Sequence, residues 1–389
     1  MSLELPIFLD NHSTTRVDPV VLEAMLPYFS ETYGNAASKN HTFGQEAELA
    51  VQETRATLAK AIGAKPQEIA FTSGATEAIN LAIKGVAEAN SSRGKHFITL
   101  ATEHKAVLDS FKWLENHGFE ISILSVDSEG LIKLDELRAA IRPDTIMVAV
   151  MAANNEIGVL QPLQAIGQIC RENEVFFMSD ATQALGKVAV DVEKMKIDLL
   201  ACSAHKLYGP KGVGALYVRR SLPRVPVTPI IDGGGHESGL RSGTLNVPAI
   251  VGFGKALKLS LSNMVKEEKR LAGLRDKLET RLLTAIPESH INGDKNRRLA
   301  GNLNIHLPNV ESEALMIALR EDIAISSGSA CTTAAVEPSH VLKALGLKDD
   351  VVYSSVRFGL GRFNTEDEIE CAANRTIEEY QRLAEFALV

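Results

Sequence analysis

The chain has 389 residues, with 49 acidic residues against 41 lysines and arginines, a formal net charge of −8 and 45% hydrophobic residues. This composition excludes a disordered or collagen-like chain, and the length suffices for two or three domains with cores of their own. No block of basic residues is present, so nucleic acid is not expected as a direct partner.

Between residues 68 and 219, short runs rich in β-branched residues alternate with stretches that carry apolar residues at helical spacing. The predicted strands are Ile69–Phe71, Phe97–Leu100, Ile121–Val126, Ile146–Met151, Val175–Met178, Ile197–Ala201 and Ala215–Val218, and the predicted helices are Ala75–Asn90, His104–His117, Leu134–Ile141 and Leu163–Asn173. Most runs are apolar throughout, which is typical of strands buried on both faces. The pattern predicts an α/β domain with a mainly parallel seven-stranded sheet.

A long helical pattern, Ala249–Ile286, follows the glycines at 233–235 and predicts a connector to a second unit. Beyond it, strands are predicted at Leu303–Leu307, Ile323–Ile325 and Val352–Phe358, and helices at Ser312–Arg320, Ser339–Leu345 and from Thr365 onward. This change of alternation predicts a smaller α+β domain. The predicted domains span residues 13–260 and 261–389.

Cysteine spacing and hydropathy indicate where in the cell the protein is located. The four cysteines, Cys170, Cys202, Cys331 and Cys371, form neither CxxC nor Cys/His ligand spacing, so neither a metal site nor a disulfide framework is expected. The first residues lack the basic region of a signal peptide, and no apolar run approaches the ~18 residues that span a bilayer. These features predict a cytoplasmic protein that does not bind membranes.

The first candidate motif is the segment Phe71–Glu77, where a predicted strand ends and a helix begins. Gly74 permits a tight turn, and Ala75 and Thr76 then present backbone N–H groups and a hydroxyl at the helix start. Such a helix start binds phosphate. An ordinary helix cap is the alternative.

The second motif places Asp180 where an apolar strand finishes, with Gln183 close enough along the chain to reach the same ligand. Open α/β sheets place ligand-binding groups at this edge, and a carboxylate there must be solvated, paired or functional. A turn or capping aspartate is the alternative.

The third motif contains Lys206, which directly follows a buried strand, is preceded by Ser203 and His205 and is followed by glycines. A lysine that attacks a carbonyl must be neutral, and lowering its pKa from about 10.4 to near 7 corresponds to ~4.6 kcal/mol, which burial and neighbouring cations can supply. A solvated loop lysine, as expected for Lys211, is the alternative.

Together the three motifs match the requirements of pyridoxal phosphate, which needs a helix N-terminus for its phosphate, an acid for its pyridine nitrogen and a lysine for its aldehyde. Their order along the chain makes coincidence less plausible than it is for each motif alone. The glycines near Lys206 do not form a P-loop, because no GxxxxGK[ST] pattern exists in the chain.

Three further residues are candidates for the chemistry. Cys331 lies among small residues between Ile325 and Pro338, a composition typical of a mobile loop. Because a thiol with a pKa of about 8.5 is only a few per cent thiolate at pH 7, Cys331 needs an acid–base group, and His104 is a candidate. For His104 an ordinary helix-start histidine is the alternative. Arg357, near the end of an apolar strand, suits either a bidentate grip on a carboxylate or a structural salt bridge.

The sequence resembles the cysteine desulfurases of the iron–sulfur-cluster assembly type. The resemblance extends from Phe8 to Arg362 and depends on the segments Thr72–Glu77, Glu103–Val107, Asn154–Gly158, Asp180–Gln183, Ser203–Lys206, Arg241–Thr244 and Ser326–Cys331. It implies a fold-type I pyridoxal-phosphate-dependent transferase that forms a homodimer, in which residues 1–12 pack on the small domain.

The resemblance also implies individual roles. Lys206 would hold the cofactor as a Schiff base, Asp180 would pair with the pyridine nitrogen and Gln183 would contact the ring oxygen. His104 would stack on the ring and shuttle protons, with Asn155 beside it. The phosphate would be held by Ala75, Thr76, Ser203 and His205, and by Thr244 of the other subunit.

For the reaction, the resemblance implies that Arg357 and Asn35, together with Asn155, hold the L-cysteine substrate. Cys331 would take the sulfur as a persulfide, leaving L-alanine, and pass it to an acceptor or iron–sulfur scaffold protein. A selenocysteine lyase or related C–S lyase is the alternative. The segment Asn11–Ser13 departs from the family pattern, where an aromatic residue is expected after Asp10, and Asn35 lies in a stretch that lacks the usual proline.

Overall fold

The computed structural model describes residues 3–327 and 338–387. Its strands are β1 (Ile7–Phe8), β2 (Ile69–Thr72), β3 (His96–Leu100), β4 (Glu120–Leu124), β5 (Thr145–Ala149), β6 (Phe176–Asp180), β7 (Leu199–Ser203), β8 (Gly214–Val218), β9 (His290–Ile291), β10 (Asn302–His306), β11 (Ile323–Ala324) and β12 (Ser355–Gly359). Its helices are α1 (Pro19–Met25), α2 (Pro27–Ser30), α3 (Thr42–Ile62), α4 (Ala75–Ala89), α5 (Lys105–Glu115), α6 (Leu134–Ala140), α7 (Leu163–Glu172), α8 (Val247–Ala285), α9 (Ser312–Leu319), α10 (His340–Ala344), α11 (Asp349–Tyr353) and α12 (Glu366–Ala387). Among these described helices, none is long and apolar enough to cross a membrane.

Seven strands form the large sheet, in the order β2-β8-β7-β6-β5-β3-β4. Strand β8 runs antiparallel to both neighbours, and every other neighbouring pair is parallel. The predicted α/β class and mainly parallel seven-stranded sheet are therefore confirmed. Because all strands except β8 point the same way, their carboxyl ends share one edge of the sheet, where ligands bind in open α/β folds.

Both faces of this sheet are covered, which explains why its strands are apolar throughout. Along β7, Leu200 and Cys202 enter one hydrophobic cluster, whereas Leu199 and Ala201 enter the cluster on the opposite face. Successive side chains of a strand point to opposite faces, so two covered faces require an unbroken apolar run. Each fully buried leucine contributes roughly 1.5–3 kcal/mol.

A third hydrophobic cluster lies in the C-terminal part of the chain. There β9, β10 and β12 form an antiparallel sheet, and β1 pairs in parallel with β11 through Ile7 and Ile323. Ile7 shares this cluster with Leu278 of α8, whereas Leu257 of the same helix packs in the first cluster. Residue 260 therefore lies inside one continuous helix, and the division into residues 13–260 and 261–389 stays a prediction.

Several elements were not predicted from the sequence, among them β1, α1, α2, α3, β9 and α11. Helix α3 was not predicted, because its buried face consists largely of small residues such as Gly44, Ala47 and Ala50 and gives a weak apolar pattern. The strand predicted at Val352–Phe358 is wrong at its start, since α11 extends to Tyr353 and β12 begins only at Ser355. Two acidic residues, Asp349 and Asp350, open the first turn of α11, where they favour a helix.

Candidate active site

A cavity of about 580 Å³ lies where strands of the large sheet end. Most residues predicted for the site line it: Ala75, Thr76, His104, Asn155, Asp180, Gln183, Ser203, His205, Lys206 and Arg357. They follow different strands but meet here, because the carboxyl ends of parallel strands lie at one edge.

Three predicted residues are not among those that line the cavity. Asn35 is exposed, and its Oδ1 accepts a hydrogen bond from the backbone N–H of Ala37 at 2.9 Å. Thr244 is also exposed, and its predicted role concerns the cavity of a second subunit. Cys331 lies outside the described residues, so its role stays a prediction.

Lys206 reaches the cavity from a short 3₁₀ turn, Ala204–Lys206, that directly follows β7. Its Nζ donates hydrogen bonds to the backbone oxygen of His12 at 2.7 Å and to that of Ser13 at 2.5 Å. Both acceptors belong to a segment almost two hundred residues away in sequence. The amine is therefore aimed by backbone atoms, which a side-chain substitution leaves in place.

Asp180 is the last residue of β6 and is buried. Its Oδ1 accepts the backbone N–H of Thr182 at 2.9 Å, which fixes the carboxylate at the cavity wall. A buried carboxylate is stabilised by a positively charged group. The position therefore suits an acid that holds a cationic group of a ligand.

His104 caps the N-terminus of α5, where its Nδ1 accepts the backbone N–H of Ala106 at 3.1 Å. Burial lowers the pKa of His104, Asp180 opposes this shift and Lys206 adds to it. The neutral imidazole is thus favoured, and because Nδ1 is an acceptor, the hydrogen resides on Nε2. His104 can therefore hold or exchange a proton at Nε2.

The start of α4 forms a place for an anion. The N-cap residue Gly74 has no side chain with which to satisfy the first backbone N–H groups, so these are available to a ligand at Ala75 and Thr76. Ser203 and His205 also line the cavity, and Ser203 Oγ lies 3.9 Å from the position that a Cβ on Gly74 would take. Glu77, in the first turn, is paired with Arg241 at 2.8 Å, which limits its repulsion of an anion.

Arg357 projects from β12 and ties the C-terminal part of the chain to the cavity. Its Nη2 donates to Asp10 Oδ1 and to Ser13 Oγ, each at 2.7 Å, and its Nη1 donates to the backbone oxygen of Asn155 at 2.8 Å. The salt bridge that sequence left as one alternative is thus formed, while Arg357 also lines the cavity. A fixed guanidinium of this kind presents its remaining N–H groups to a carboxylate.

Two buried glutamates lie behind the cavity and were not singled out as site residues from the sequence. Glu103 Oε1 accepts the backbone N–H of Met151 at 2.7 Å, and burial raises its pKa well above the usual range. Glu156 accepts a hydrogen bond from Ser339 Oγ at 2.5 Å, and burial raises its pKa to about 7. The available signal was their position, since each adjoins a predicted site residue, His104 or Asn155.

The raised pKa of Glu156 predicts a pH-dependent stability. The folded-state pKa of Glu156 is about 7, against an ordinary value of 4.5, so its stabilising contribution is complete below pH 4.5 and is lost as pH rises through 7. We expect Glu156→Gln to remove this loss, so that the variant gains up to about 3 kcal/mol over the native chain between pH 5 and pH 8. Urea unfolding at both pH values measures the difference.

The exposed Glu115 supplies the control, because Glu115→Gln removes the same charge without removing a buried group. Its free energy of unfolding should follow that of the native chain at both pH values. If the native chain and Glu156→Gln differ by the same amount at pH 5 and pH 8, Glu156 does not titrate in this range.

The segment Asp10–Thr15 contributes cavity residues that sequence reasoning did not assign. His12, Ser13 and Thr14 all line the cavity, and Thr14 Oγ1 lies 3.1 Å from His205 Nδ1. The only signal was the departure of Asn11–Ser13 from the family pattern. Lys211, expected to be a solvated loop lysine, is exposed and lies at the cavity lining.

The fold and the cavity define a class of protein. The aminotransferase class-V family matches residues 7–371, and the chain belongs to this family. It is 53% identical to cysteine desulfurase IscS of Anaeromyxobacter dehalogenans, over 99% of this chain and 95% of the relative. It is 50% identical to cysteine desulfurase IscS of Rickettsia typhi, over 98% of this chain and 93% of the relative.

A solved structure of a NifS-like protein agrees with these relatives. It superposes with a TM-score of 0.90 at 38% sequence identity and covers 96% of this chain and 99% of its own. The fold-type I assignment and the resemblance to cysteine desulfurases, drawn above from the motifs, are confirmed.

Proposed function

We propose that this chain is a pyridoxal-phosphate-dependent cysteine desulfurase that converts L-cysteine to L-alanine and retains the sulfur as a persulfide on Cys331. The observation that carries the proposal is the convergence of Lys206, Asp180 and the start of α4 on one cavity. Relatives bearing the name cysteine desulfurase, 50–53% identical over nearly the whole chain, support the same activity.

The residues of the cavity fit pyridoxal phosphate. The donor set combines unsatisfied N–H groups of a helix start, an amine and a buried carboxylate, which match a phosphate, an aldehyde and a ring nitrogen. Thr182 lines the cavity two residues after Asp180, and its Oγ1 is buried and has no hydrogen-bond partner among the described residues. A bound ligand would supply that missing partner.

Each of these cavity residues would hold one part of pyridoxal phosphate. Ala75, Thr76, Ser203 and His205 would hold the phosphate, Asp180 the ring nitrogen, Gln183 the ring oxygen and Lys206 the aldehyde, with His104 and Asn155 against the ring. When bound, pyridoxal phosphate supplies an aldehyde that joins amines reversibly and a ring that accepts electrons from the substrate Cα.

The chain's own residues carry the proton transfers and the sulfur. Arg357 and Asn155, which line the cavity, would hold the cysteine carboxylate, which places Cα near Lys206. The role of Asn35, which is exposed and outside the cavity lining of this chain, stays a prediction. Lys206 Nζ would remove the Cα proton, aimed by the two backbone oxygens that it contacts. His104 would hold or return protons at Nε2, because its Nδ1 is committed to α5.

The sulfur step balances without an external oxidant. The Cβ–S bond of cysteine breaks and an S–S bond forms to Cys331 Sγ, while Cβ gains a proton. Cysteine plus the enzyme thiol thus give alanine plus a persulfide that keeps the one remaining hydrogen. The sulfur that leaves cysteine is thereby stored on the chain for transfer.

We further propose a cytoplasmic homodimer that passes sulfur to an acceptor or iron–sulfur scaffold protein. The name IscS, which these relatives carry, supports an iron–sulfur scaffold protein as the sulfur acceptor. Exposed apolar residues on and around α1 and α2, among them Leu26, Phe29 and Tyr33, support a partner surface. Thr244, exposed in one chain, would complete the phosphate site of the other.

The test compares the native chain with Cys331→Ala. We expect alanine formation from L-cysteine with a thiol reductant to fall by at least about 100-fold, because the nucleophile is lost. Mass spectrometry after exposure to L-cysteine without reductant should show one added sulfur on the native chain and none on the variant. Cys371→Ala, at a half-buried cysteine of α12, is the matched control and should retain both activities.

Two results would contradict this function. Equal alanine formation by Cys331→Ala and the native chain would remove Cys331 from the reaction and favour a selenocysteine lyase or related C–S lyase. A preparation that cannot take up pyridoxal phosphate would remove the enzyme class altogether.

A further inference from the structure

The side chain of His12 is buried at the wall of the cavity, where it contacts Gln183. His12 is only 3% exposed, its Nδ1 is 3.2 Å from Gln183 Oε1 and its Nε2 is 3.3 Å from the backbone oxygen of Gly301. Its own backbone oxygen accepts both Lys206 Nζ and Gln183 Nε2, each at 2.7 Å. His12 therefore contacts two cavity residues at once.

The Gln183 amide has one allowed orientation. Its Oε1 accepts Lys187 Nζ at 2.9 Å, and its Nε2 donates to the backbone oxygen of His12. Turning the amide over would place oxygen against the His12 carbonyl and NH₂ against the Lys187 amine, so that neither hydrogen bond could form. Oε1 also faces His12 Nδ1 at 3.2 Å. Two nitrogens directed at Oε1, one from each of Lys187 and His12, and the His12 backbone oxygen directed at Nε2 thus set which end of the amide is the donor end.

The second N–H of the Gln183 amide is the one that can reach a ligand in the cavity. A side-chain amide carries two N–H groups, and the His12 backbone oxygen occupies one. Gln183 lines the cavity, so the second N–H is available to a hydrogen-bond acceptor bound there. A reversed amide would offer a carbonyl oxygen to the same ligand and repel an anionic ring oxygen.

We propose that His12 is a positioning residue, which together with Lys187 locks the Gln183 amide so that its second N–H serves the ring oxygen of the cofactor. The inference rests on the proposed function, since it assumes pyridoxal phosphate in the cavity. It assigns a task to a residue within Asn11–Ser13, the segment that departs from the family pattern.

The surroundings of His12 and Lys187 lower the pKa of both side chains. Burial lowers the pKa of His12, and the charges of Lys187 and Arg357 lower it further. Burial, with Lys206 and Arg357, lowers the pKa of Lys187 to about 7. With its one hydrogen on Nδ1, the neutral His12 donates to Gln183 Oε1, beside the hydrogen bond that Lys187 donates to the same oxygen.

The test uses two substitutions of similar size at position 12. Asn can donate from its amide near the place of Nδ1, whereas Leu has no donor. The readout is the pH midpoint at which the absorbance of the bound cofactor changes. Because a donor to the ring oxygen stabilises the deprotonated form, His12→Leu should raise this midpoint by about 1 pH unit, and His12→Asn should restore most of the shift.

Lys187→Met approaches Gln183 from the other side and covers the case in which His12→Leu does not fold. It should also raise the midpoint, and it should weaken binding of pyridoxal phosphate to the cofactor-free protein by about tenfold. Midpoints equal to that of the native chain in these variants would overturn the proposal. So would equal shifts in His12→Leu and His12→Asn, which would mean packing rather than donation.

The outcomes separate this inference from the proposed function. If the native chain takes up no pyridoxal phosphate, the proposed function fails. If the native chain binds the cofactor and titrates while the variants titrate identically, the proposed function stands and only the role of His12 fails.

Discussion

Lys206→Ala is expected to lower alanine formation from L-cysteine by at least about 10³-fold, because the variant lacks the base that removes the Cα proton and the amine that presents the cofactor. The loss should be in kcat, since Arg357 and its contacts to Asp10 and Asn155 remain to bind the carboxylate. Steady-state kinetics with alanine detection measure both constants.

Cofactor binding should survive this substitution in weakened form, because the helix start and Asp180 remain. Borohydride reduction followed by mass analysis should label the native chain at Lys206 and leave Lys206→Ala unlabelled. Lys211→Ala is the matched control, since this exposed lysine also lines the cavity; its turnover should stay within about threefold of the native value. Turnover by Lys206→Ala at a comparable level would refute the assigned role.

The sequence was sufficient for residues whose placement depends on strand ends. Asp180 and Lys206 each follow an apolar strand, and parallel strands bring such positions to one edge. The start of α4 follows from Gly74 and the end of β2 in the same way. Local pattern and sheet geometry together therefore predicted that Lys206, Asp180 and the start of α4 meet at one cavity.

The contacts of the N-terminal segment could not be predicted in this way. No local pattern links His12 and Ser13 to Lys206, almost two hundred residues away, because the contact depends on how the C-terminal part packs against the large sheet. Ile7 reaches that packing by pairing with Ile323. Such long-range contacts depend on the whole fold rather than on propensity.

Buried acids were missed for a related reason. Glu103 and Glu156 lie within the family motifs, but the sequence alone does not show that either glutamate is buried. Their raised pKa values come from burial, which exists only after the loops that follow β3 and β5 pack together. Asn154 Nδ2 joins those loops by donating to the backbone oxygen of Thr102 at 2.9 Å.

Asp180→Asn should lower turnover by about 10²–10³-fold, because the neutral amide no longer stabilises positive charge on the ring nitrogen inside a buried site. The fold should persist, since Asn retains an Oδ1 for the backbone N–H of Thr182. Kinetics of alanine formation and a thermal melt of the variant separate the catalytic loss from any loss of stability.

A second readout needs no cofactor. The carboxylate of Asp180 raises the pKa of His104 against the larger effect of burial, so in cofactor-free Asp180→Asn the imidazole should titrate at a still lower pH by NMR. Asp109→Asn is the matched control, because Asp109 also raises the pKa of His104 but is exposed and outside the cavity lining. It should lower the His104 pKa while leaving turnover within about threefold of the native value. If Asp180→Asn turns over as fast as Asp109→Asn, the charge of Asp180 has no part in the reaction, and the cavity holds its ligand by shape and phosphate contacts instead.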